Sequence, residues 1–195
     1  MTDLSARALR HPAVQLQPLA ERHRAGLAAA GASPAIWALQ PFNIADGFDA
    51  YFDWLLREQA AGRWLPFVVM TPEGKIVGQS CYLDIREPDR GVEIGGTWYA
   101  PAVQGTAVNP AAKLLLLDNA FDSGIVRVQF KTDIRNTRSR AAIEKLGATC
   151  EGIFRKHRKR PDGTWRDSVY YSIVDDEWPP LRKRLLRRLD AVSAP

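Results

Sequence analysis

The sequence predicts a mixed α+β domain in which helices flank a central mixed sheet that is mostly antiparallel. Apolar residues alternate in consecutive strands between residues 66 and 99, a strand–helix–strand crossover follows, and helical periodicity occurs on both sides. A chain of 195 residues has room for one ordinary domain. With 46% hydrophobic and 25% charged residues, it has the composition of a globular protein with a substantial core. We therefore expect a single domain over residues 1–195.

The N-terminal part begins with a short strand at 14–16 and two helices. The first helix, at 19–30, ends before Gly31, a residue type that often follows a helix. The second, at 46–61, carries apolar side chains at helical spacing and ends before Gly62.

Three strands then form an antiparallel meander. They are predicted at 66–70, 75–85 and 92–99, because the apolar period changes from helical spacing to alternation. Turn residues separate them at 72–74 and 88–91.

The remaining elements alternate between helices and strands. A helix at 111–122 is expected to start with Asn109 as N-cap and Pro110 at the first helical position. The other elements are a strand at 126–132, a helix at 137–146, strands at 149–156 and 168–174, and a basic amphipathic helix at 180–192. This order predicts a mixed sheet covered by helices.

Composition excludes several classes of protein. No apolar stretch approaches the roughly 20 residues that cross a bilayer, and the N-terminal segment lacks a signal-peptide pattern. The two cysteines, Cys81 and Cys150, are too few for a disulfide framework and have no neighbouring metal ligands. We expect both to be reduced core thiols, no metal site, no membrane association and a cytoplasmic location.

The net charge of +5 comes from the C-terminal quarter, since residues 154–195 hold 11 Lys/Arg against 6 Asp/Glu. Its densest part is the basic run at 155–160, which could attract phosphates of a nucleotide cofactor or of RNA. It could equally be the solvated flank of a hairpin. No aromatic residues interleave with the run and no nucleic-acid motif accompanies it, so nucleic acid is an unlikely partner.

A strand end followed by small residues and a helix start, at 98–110, predicts an anion site. The amides at such a helix start are unpaired and the helix dipole adds positive charge. Gly105 and Ala107 would let a pyrophosphate approach the backbone closely. The signal is weak by itself, because many strand–helix connections use Gly only for the turn. The segment matches neither the phosphate loop of nucleoside triphosphatases nor the three-glycine motif of dinucleotide-binding proteins.

A second strand end, at 131–140, also leads into a helix. Asn136 or Thr137 could simply cap that helix. Ser139 adds a hydroxyl in its first turn, suited to donating a hydrogen bond into a cleft that both strand ends share.

The strand at 92–98 carries Glu93 among apolar neighbours and two interior glycines, Gly95 and Gly96. Glycines inside a strand indicate a bulge or a close approach by a ligand, and a bulge would separate this strand from its neighbour. Glu93 could be a surface residue, or a general base tuned by burial if it faces a helix-covered side.

Together these features resemble the GCN5-related N-acetyltransferase (GNAT) superfamily and, within it, the RimJ/RimL-type ribosomal-protein acetyltransferases. The resemblance covers about 13–178, with the C-terminal helix beyond it. It rests on the element order and on Glu93-Ile94-Gly95, the 104–109 loop, Asn136-Thr137-Arg138-Ser139, Leu146-Gly147-Ala148 and Glu151-Gly152.

The resemblance implies an acyl-CoA N-acyltransferase fold with splayed fourth and fifth strands, and acetyl-CoA as cosubstrate. It implies a coenzyme arm that lies between the strands at Trp98 and Val128. Ala102 stands where the family pattern has Gln or Arg. The implied coenzyme-binding residues are Trp98, Gln104, Gly105, Thr106, Ala107, Val108, Asn109 and Asn136.

The implied chemistry is direct transfer of the acetyl group to a primary amine. Glu93 is the candidate base, an amide near Thr97 or Trp98 would hold the oxyanion, and Ser139 would assist the departing thiolate. Ile143 stands where many relatives have a tyrosine acid.

The acceptor pocket is expected to include Trp37, Phe42 and Trp64. These aromatic residues could contact the substrate specifically, or they could simply belong to the core or to the wall of the pocket. The acceptor could be a protein N-terminus or a small-molecule amine. The alternative is a catalytically weak CoA-binding or RNA/ribosome-associated module. A homodimer is possible through the last helix.

Overall fold

A computed structural model describes residues 3–40, 42, 47–160 and 162–193. One sheet and the helices on its two faces contain most of these residues. The strands are β1 (Leu9–His11), β2 (Val14–Pro18), β3 (Trp64–Met70), β4 (Ile76–Arg86), β5 (Gly91–Tyr99), β6 (Arg127–Asp133), β7 (Thr149–Lys159) and β8 (Trp165–Val174). The helices are α1 (Arg24–Ala30), α2 (Phe48–Ala60), α3 (Val108–Asp122), α4 (Thr137–Leu146) and α5 (Trp178–Ser193).

The sheet has eight strands in the order β1-β2-β3-β4-β5-β6-β8-β7. All neighbouring pairs are antiparallel except β5 with β6, which is parallel. The connection from β5 to β6 runs through α3, as a parallel crossover requires. The predicted mixed, mostly antiparallel sheet is confirmed.

The parallel pair is open over most of its length. β5 and β6 are in register only at Gly91 with Arg127, Val92 with Val128 and Glu93 with Gln129. Beyond Glu93 the rest of β5 pairs with no described strand on that side. These two strands are the fourth and fifth of the predicted order, so the predicted splay is confirmed. Val128, however, lies in the paired part opposite Val92, and the opening begins only after Gln129.

The two faces of the sheet carry separate apolar clusters. One includes Val92, Ile94 and Val128 and packs against α3, α4 and α5. The other includes Val68 and Trp98 and packs against α1 and α2. Because strand side chains alternate between faces, Glu93 points away from α3 and towards the face that carries α1 and α2.

Several predicted elements differ from the observed ones. β1 was not predicted. The helix predicted at 19–30 is α-helical only from Arg24, after a 3-10 turn at Glu21–His23. The start predicted for the second helix, Asp46, lies outside the described residues. α3 begins at Val108 with Ala107 as N-cap, not at Asn109 and Pro110 as predicted.

The two cysteines also differ from each other. Cys81 is a buried free thiol, as predicted, and burial raises its pKa to about 12. Cys150 is exposed, so its assignment to the core was wrong. It lies on β7, which is an edge strand and has little of its surface covered.

Candidate active site

The loop between β5 and α3 presents unpaired backbone amides. The N–H groups of Gly105, Thr106, Ala107 and Asn109 donate to no acceptor in the described part of the chain. The N–H of Val108 donates to Thr106 Oγ1 at 3.3 Å. Free amides beside the positive end of a helix dipole form a site for an anion.

Gly105 leaves this loop open to a close approach. Its φ is +80°, and a Cβ built on it would meet no atom within 4 Å. The side chain of Gln104 donates through Nε2 to Tyr99 O at 2.9 Å and accepts a hydrogen bond from Arg138. Arg138 therefore brings a guanidinium to a loop whose exposed Ala102 carries no polar group. These groups fit the pyrophosphate of a coenzyme A.

Asn136 caps α4. Its Oδ1 accepts a hydrogen bond from the backbone N–H of Ser139 at 3.0 Å, so the capping interpretation of this residue is correct. The Ser139 hydroxyl makes no hydrogen bond within the described residues. Ile143, one turn further on, is buried and apolar. The role predicted for Ser139 stays a prediction.

Glu93 lies at the point where the sheet opens and is only 3% exposed. Its Oε2 accepts hydrogen bonds from Lys131 Nζ at 2.8 Å and from Gln129 Nε2 at 3.3 Å. Its Oε1 accepts none from the residues that the structure describes. A buried carboxylate requires a compensating charge, and Lys131 supplies it while leaving one oxygen free.

The polar network continues from Glu93 to the surface. Gln129 Nε2 also donates to Asp84 Oδ2 at 2.9 Å, and Asp84 accepts a hydrogen bond from Arg86. Asp84 has a φ of +49°, in a region that aspartate tolerates better than most residues do. Lys131, Gln129 and Asp84 were not identified from the sequence. Gln129 and Lys131 occupy alternate positions of the strand predicted at 126–132, which was the available signal for these two residues.

Lys113 of α3 is a buried lysine without a carboxylate partner within the described residues. Its Nζ donates to Thr97 Oγ1 at 2.7 Å and Ser80 Oγ at 3.0 Å. Burial lowers the pKa of Lys113 to about 7, slightly offset by nearby Cys81. Thr97 follows Gly96, which has a φ of +57° where the β4–β5 register shifts. Lys113 was also missed, although a charge among apolar neighbours on α3 was a signal that the sequence offered.

The predicted substrate residues lie in an aromatic cluster on the α1–α2 face. Trp37 is buried, its Nε1 donates to Gly31 O at 2.8 Å, and its ring centroid is 5.3 Å from that of Trp98. Phe42 is partly buried and packs between Trp54 and Trp64. The cluster therefore forms a wall beside β5, and contact with a substrate stays a prediction.

Among the residues that are described, no helix is long and apolar enough to cross a membrane. No group of three His, Cys, Asp or Glu side chains in the same part of the chain could hold a metal ion.

Comparison with known proteins agrees with this geometry. A family model described as acetyltransferase (GNAT) domain matches residues 14–149. No match was found among curated proteins.

Three solved structures illustrate the structural similarity. A GCN5-related N-acetyltransferase from Brucella melitensis is 26% identical, with a TM-score of 0.87, covering 95% of this chain and 86% of that one. Mycobacterium smegmatis RimJ, solved with CoA-disulfide, is 26% identical, with a TM-score of 0.79 and 93% of each chain covered. The ribosomal-protein-S5-alanine acetyltransferase from Vibrio fischeri is 21% identical, with a TM-score of 0.73, covering 89% of this chain and 100% of that one. The chain therefore belongs to the GNAT family of acetyltransferases and is of the RimJ/RimL-like type.

Proposed function

We propose that this acyltransferase moves the acetyl group of acetyl-CoA to a primary amine by direct attack within a ternary complex. The observation that carries the proposal is the position of Glu93, buried at the apex of the opening between β5 and β6 with one carboxylate oxygen free. A buried carboxylate at the edge of a cleft is suited to accept a proton.

The coenzyme would bind at the start of α3. Amides 105–107 and 109 would bind the pyrophosphate, and Arg138 would add a positive charge. Acetyl-CoA, when bound, supplies an acyl group that is already activated as a thioester, so no covalent nucleophile is required of the protein. The structure of RimJ with CoA-disulfide supports coenzyme binding by this fold.

Glu93 would take a proton from the incoming ammonium through its free Oε1, directly or through one water. Lys131 and Gln129 hold Oε2, so the carboxylate is fixed in orientation. The unpaired stretch of β5 beyond Glu93 offers amides near Thr97 and Trp98 to stabilise an oxyanion. Ser139 is the candidate donor to the departing sulfur.

The decisive test of the activity is a thiol-release assay with acetyl-CoA and a panel of amines and N-terminal peptides. Release that depends on the amine is expected. Coenzyme A binding without release from any amine would support a catalytically weak module instead.

The role of Glu93 is tested with Glu93→Gln. We expect kcat to fall by about 10²- to 10⁴-fold, the usual effect of removing a general base. The Kd for coenzyme A, measured by calorimetry, should change little, since Glu93 lies outside the loop that precedes α3.

Glu87→Gln, in the turn before β5, is the matched control and should retain full turnover. An unchanged pH–rate profile in Glu93→Gln would remove this residue from the role.

A further inference from the structure

Arg166 on β8 is a buried cation without a partner in the described part of the chain. It is 5% exposed, and its guanidinium makes no hydrogen bond or ion pair with any residue that the structure describes. Its Nε is fully buried without an acceptor. Burial lowers its pKa, although an arginine stays charged in practice. Buried arginines are normally paired with an anion, and none of the described residues supplies one to Arg166.

The acids close to Arg166 are already engaged. Asp133 forms a two-point ion pair with Arg160, at 2.7 Å and 2.9 Å. Glu93 is bound by Lys131 at 2.8 Å. Both carboxylates still act on Arg166 electrostatically, which places them near it.

Further positive charge surrounds the same position. Arg158 of β7 lies directly opposite Arg166 in the sheet register, and like charges at opposed positions are destabilising. The charges of Arg158, Lys131 and Arg166 all lower the pKa of His157, after the larger effect of burial. His157 itself is held by Ser168 and Tyr170.

This cluster lies on the same face of the sheet as Glu93. Tyr170 is paired with Lys131, whose Nζ binds Glu93, and Arg166 is four residues before Tyr170 on the same strand. Residues two and four apart on a strand share a face. Phe154, 54% exposed, stacks on Tyr170 with ring centroids 4.3 Å apart and adds an apolar surface.

We propose that Arg166, supported by Arg158, binds a carboxylate or phosphate group of the acceptor, and that the acceptor is a small amine carrying such an acid group. This rests on the proposed acetyl transfer to an amine at Glu93. A guanidinium binds either anion through two parallel hydrogen bonds. A polyamine fits poorly, because its further ammonium groups would meet Arg158 and Arg166 while Glu93 and Asp133 are already paired.

The first experiment compares matched amines in the thiol-release assay: L-phenylalanine with L-phenylalaninamide, and O-phosphoethanolamine with ethanolamine. The first pair tests a carboxylate and the second a phosphate. We expect kcat/KM to be at least about tenfold higher for the acid-bearing member of one pair. A ratio of this size is what one additional charge-assisted hydrogen bond would produce. Arg166→Gln should abolish this ratio, and Arg166→Lys should restore part of it.

Arg187→Gln is the matched control, because Arg187 is an exposed arginine on α5, across the sheet from this cluster. It should keep the wild-type ratio. A ratio that survives in Arg166→Gln, or a preference for the neutral amines, would overturn the proposal.

The second experiment does not depend on turnover. Calorimetry with inorganic phosphate and with N-acetyl-L-phenylalanine is done on protein saturated with coenzyme A, which fills the loop before α3. Binding of one of them should weaken at least about tenfold in Arg166→Gln and remain in Arg187→Gln. Anion binding that requires Arg166, without acetylation of any amine, would refute the proposed function and keep the anion site. Acetylation of an amine, with no effect of the Arg166 substitution on anion binding or on the kcat/KM ratio, would support the proposed function and refute the anion site.

Retained coenzyme A affinity shows that each variant is folded. Loss of the buried unpaired charge should leave the melting temperature of Arg166→Gln unchanged or higher. If the Gln variant fails to bind coenzyme A, Arg166→Met takes its place in both experiments.

Discussion

Lys113 shows how a single residue can oppose the stability of the protein around it. An ammonium buried among hydroxyls has lost its hydration, and no described residue gives it a counter-charge. The Ser80 and Thr97 hydroxyls are 2.7 Å apart and would keep each other as partners without the lysine. The folded chain therefore gains little from this charge.

Lys113→Met should stabilise the protein. We expect the free energy of unfolding at pH 7 to rise by about 1–3 kcal/mol, since relief of the buried charge outweighs two lost hydrogen bonds. The folded pKa of about 7 lies below the ordinary value of 10.5, so the unfolded chain binds more protons between these values. Wild-type stability should therefore rise with pH from about 7 to 10.5, and the variant should lack this rise.

Urea unfolding across this pH range measures both effects. Lys183→Met, at an exposed position of α5, should leave the wild-type pH dependence in place. A variant that is less stable than wild type at pH 7 would contradict the argument.

The residue types and their neighbours in the sequence were sufficient to predict part of the candidate site. Glu93 could be found because a charged residue interrupts apolar neighbours beside two glycines. Lys131, Gln129 and Arg166 could not be assigned, because their importance depends on strand order. β8 inserts between β6 and β7, and no local pattern in the sequence specifies that pairing.

At the scale of elements, local signals predicted α4 to the residue and misplaced the start of α3. Asn136 and Gly147, whose φ is +96°, provide conventional ends for α4. In α3 the Thr106 hydroxyl binds the N–H of Val108, and Pro110 fits within the first turn because its missing N–H has no partner there. The prediction of Asn109 as the cap and Pro110 as the first residue is therefore wrong. Alternation likewise placed Cys150 in the core, because it cannot distinguish an edge strand from a central one.

The loop before α3 gives a prediction at this scale. Gly105→Val should raise the Kd for coenzyme A at least about tenfold, because a β-branched side chain strains a positive φ and fills the approach to the free amides. Calorimetry with coenzyme A measures the effect.

Gly163→Val is the matched control. Gly163 also has a φ of +80°, and a Cβ added to it would likewise meet no atom within 4 Å, but it lies in the turn between β7 and β8. Gly163→Val therefore introduces the same backbone strain at a distance from the loop before α3. Equal weakening of coenzyme binding in both variants would show that strain alone is responsible.

At the scale of the whole molecule, the apolar cluster on the α3 face is continuous although the sheet is open in the middle. The cluster on the α3 face runs from Val14 on β2 to Ile173 on β8 and Leu189 on α5, and so joins the two sides of the opening. The single domain predicted from length and composition should therefore unfold as one unit.

Urea unfolding tests this expectation. Tryptophan fluorescence reports mainly the α1–α2 face, where Trp37, Trp54, Trp64 and Trp98 lie, whereas far-ultraviolet circular dichroism reports all helices and strands. The two transitions should coincide in midpoint and slope. Two separated transitions would show that the halves on either side of the opening fold independently.

The short β5–β6 pairing also has a kinetic consequence. The loop that is proposed to bind the coenzyme leads into α3 on one face of the sheet, while Oε1 of Glu93 lies on the other face. If acetyl-CoA and the amine reach the cleft from opposite sides, they do not obstruct each other. Both can then be bound at the same time, and no product has to leave before the second substrate binds. Initial-rate plots should then give intersecting lines, the pattern of a sequential mechanism, and not the parallel lines of a ping-pong mechanism.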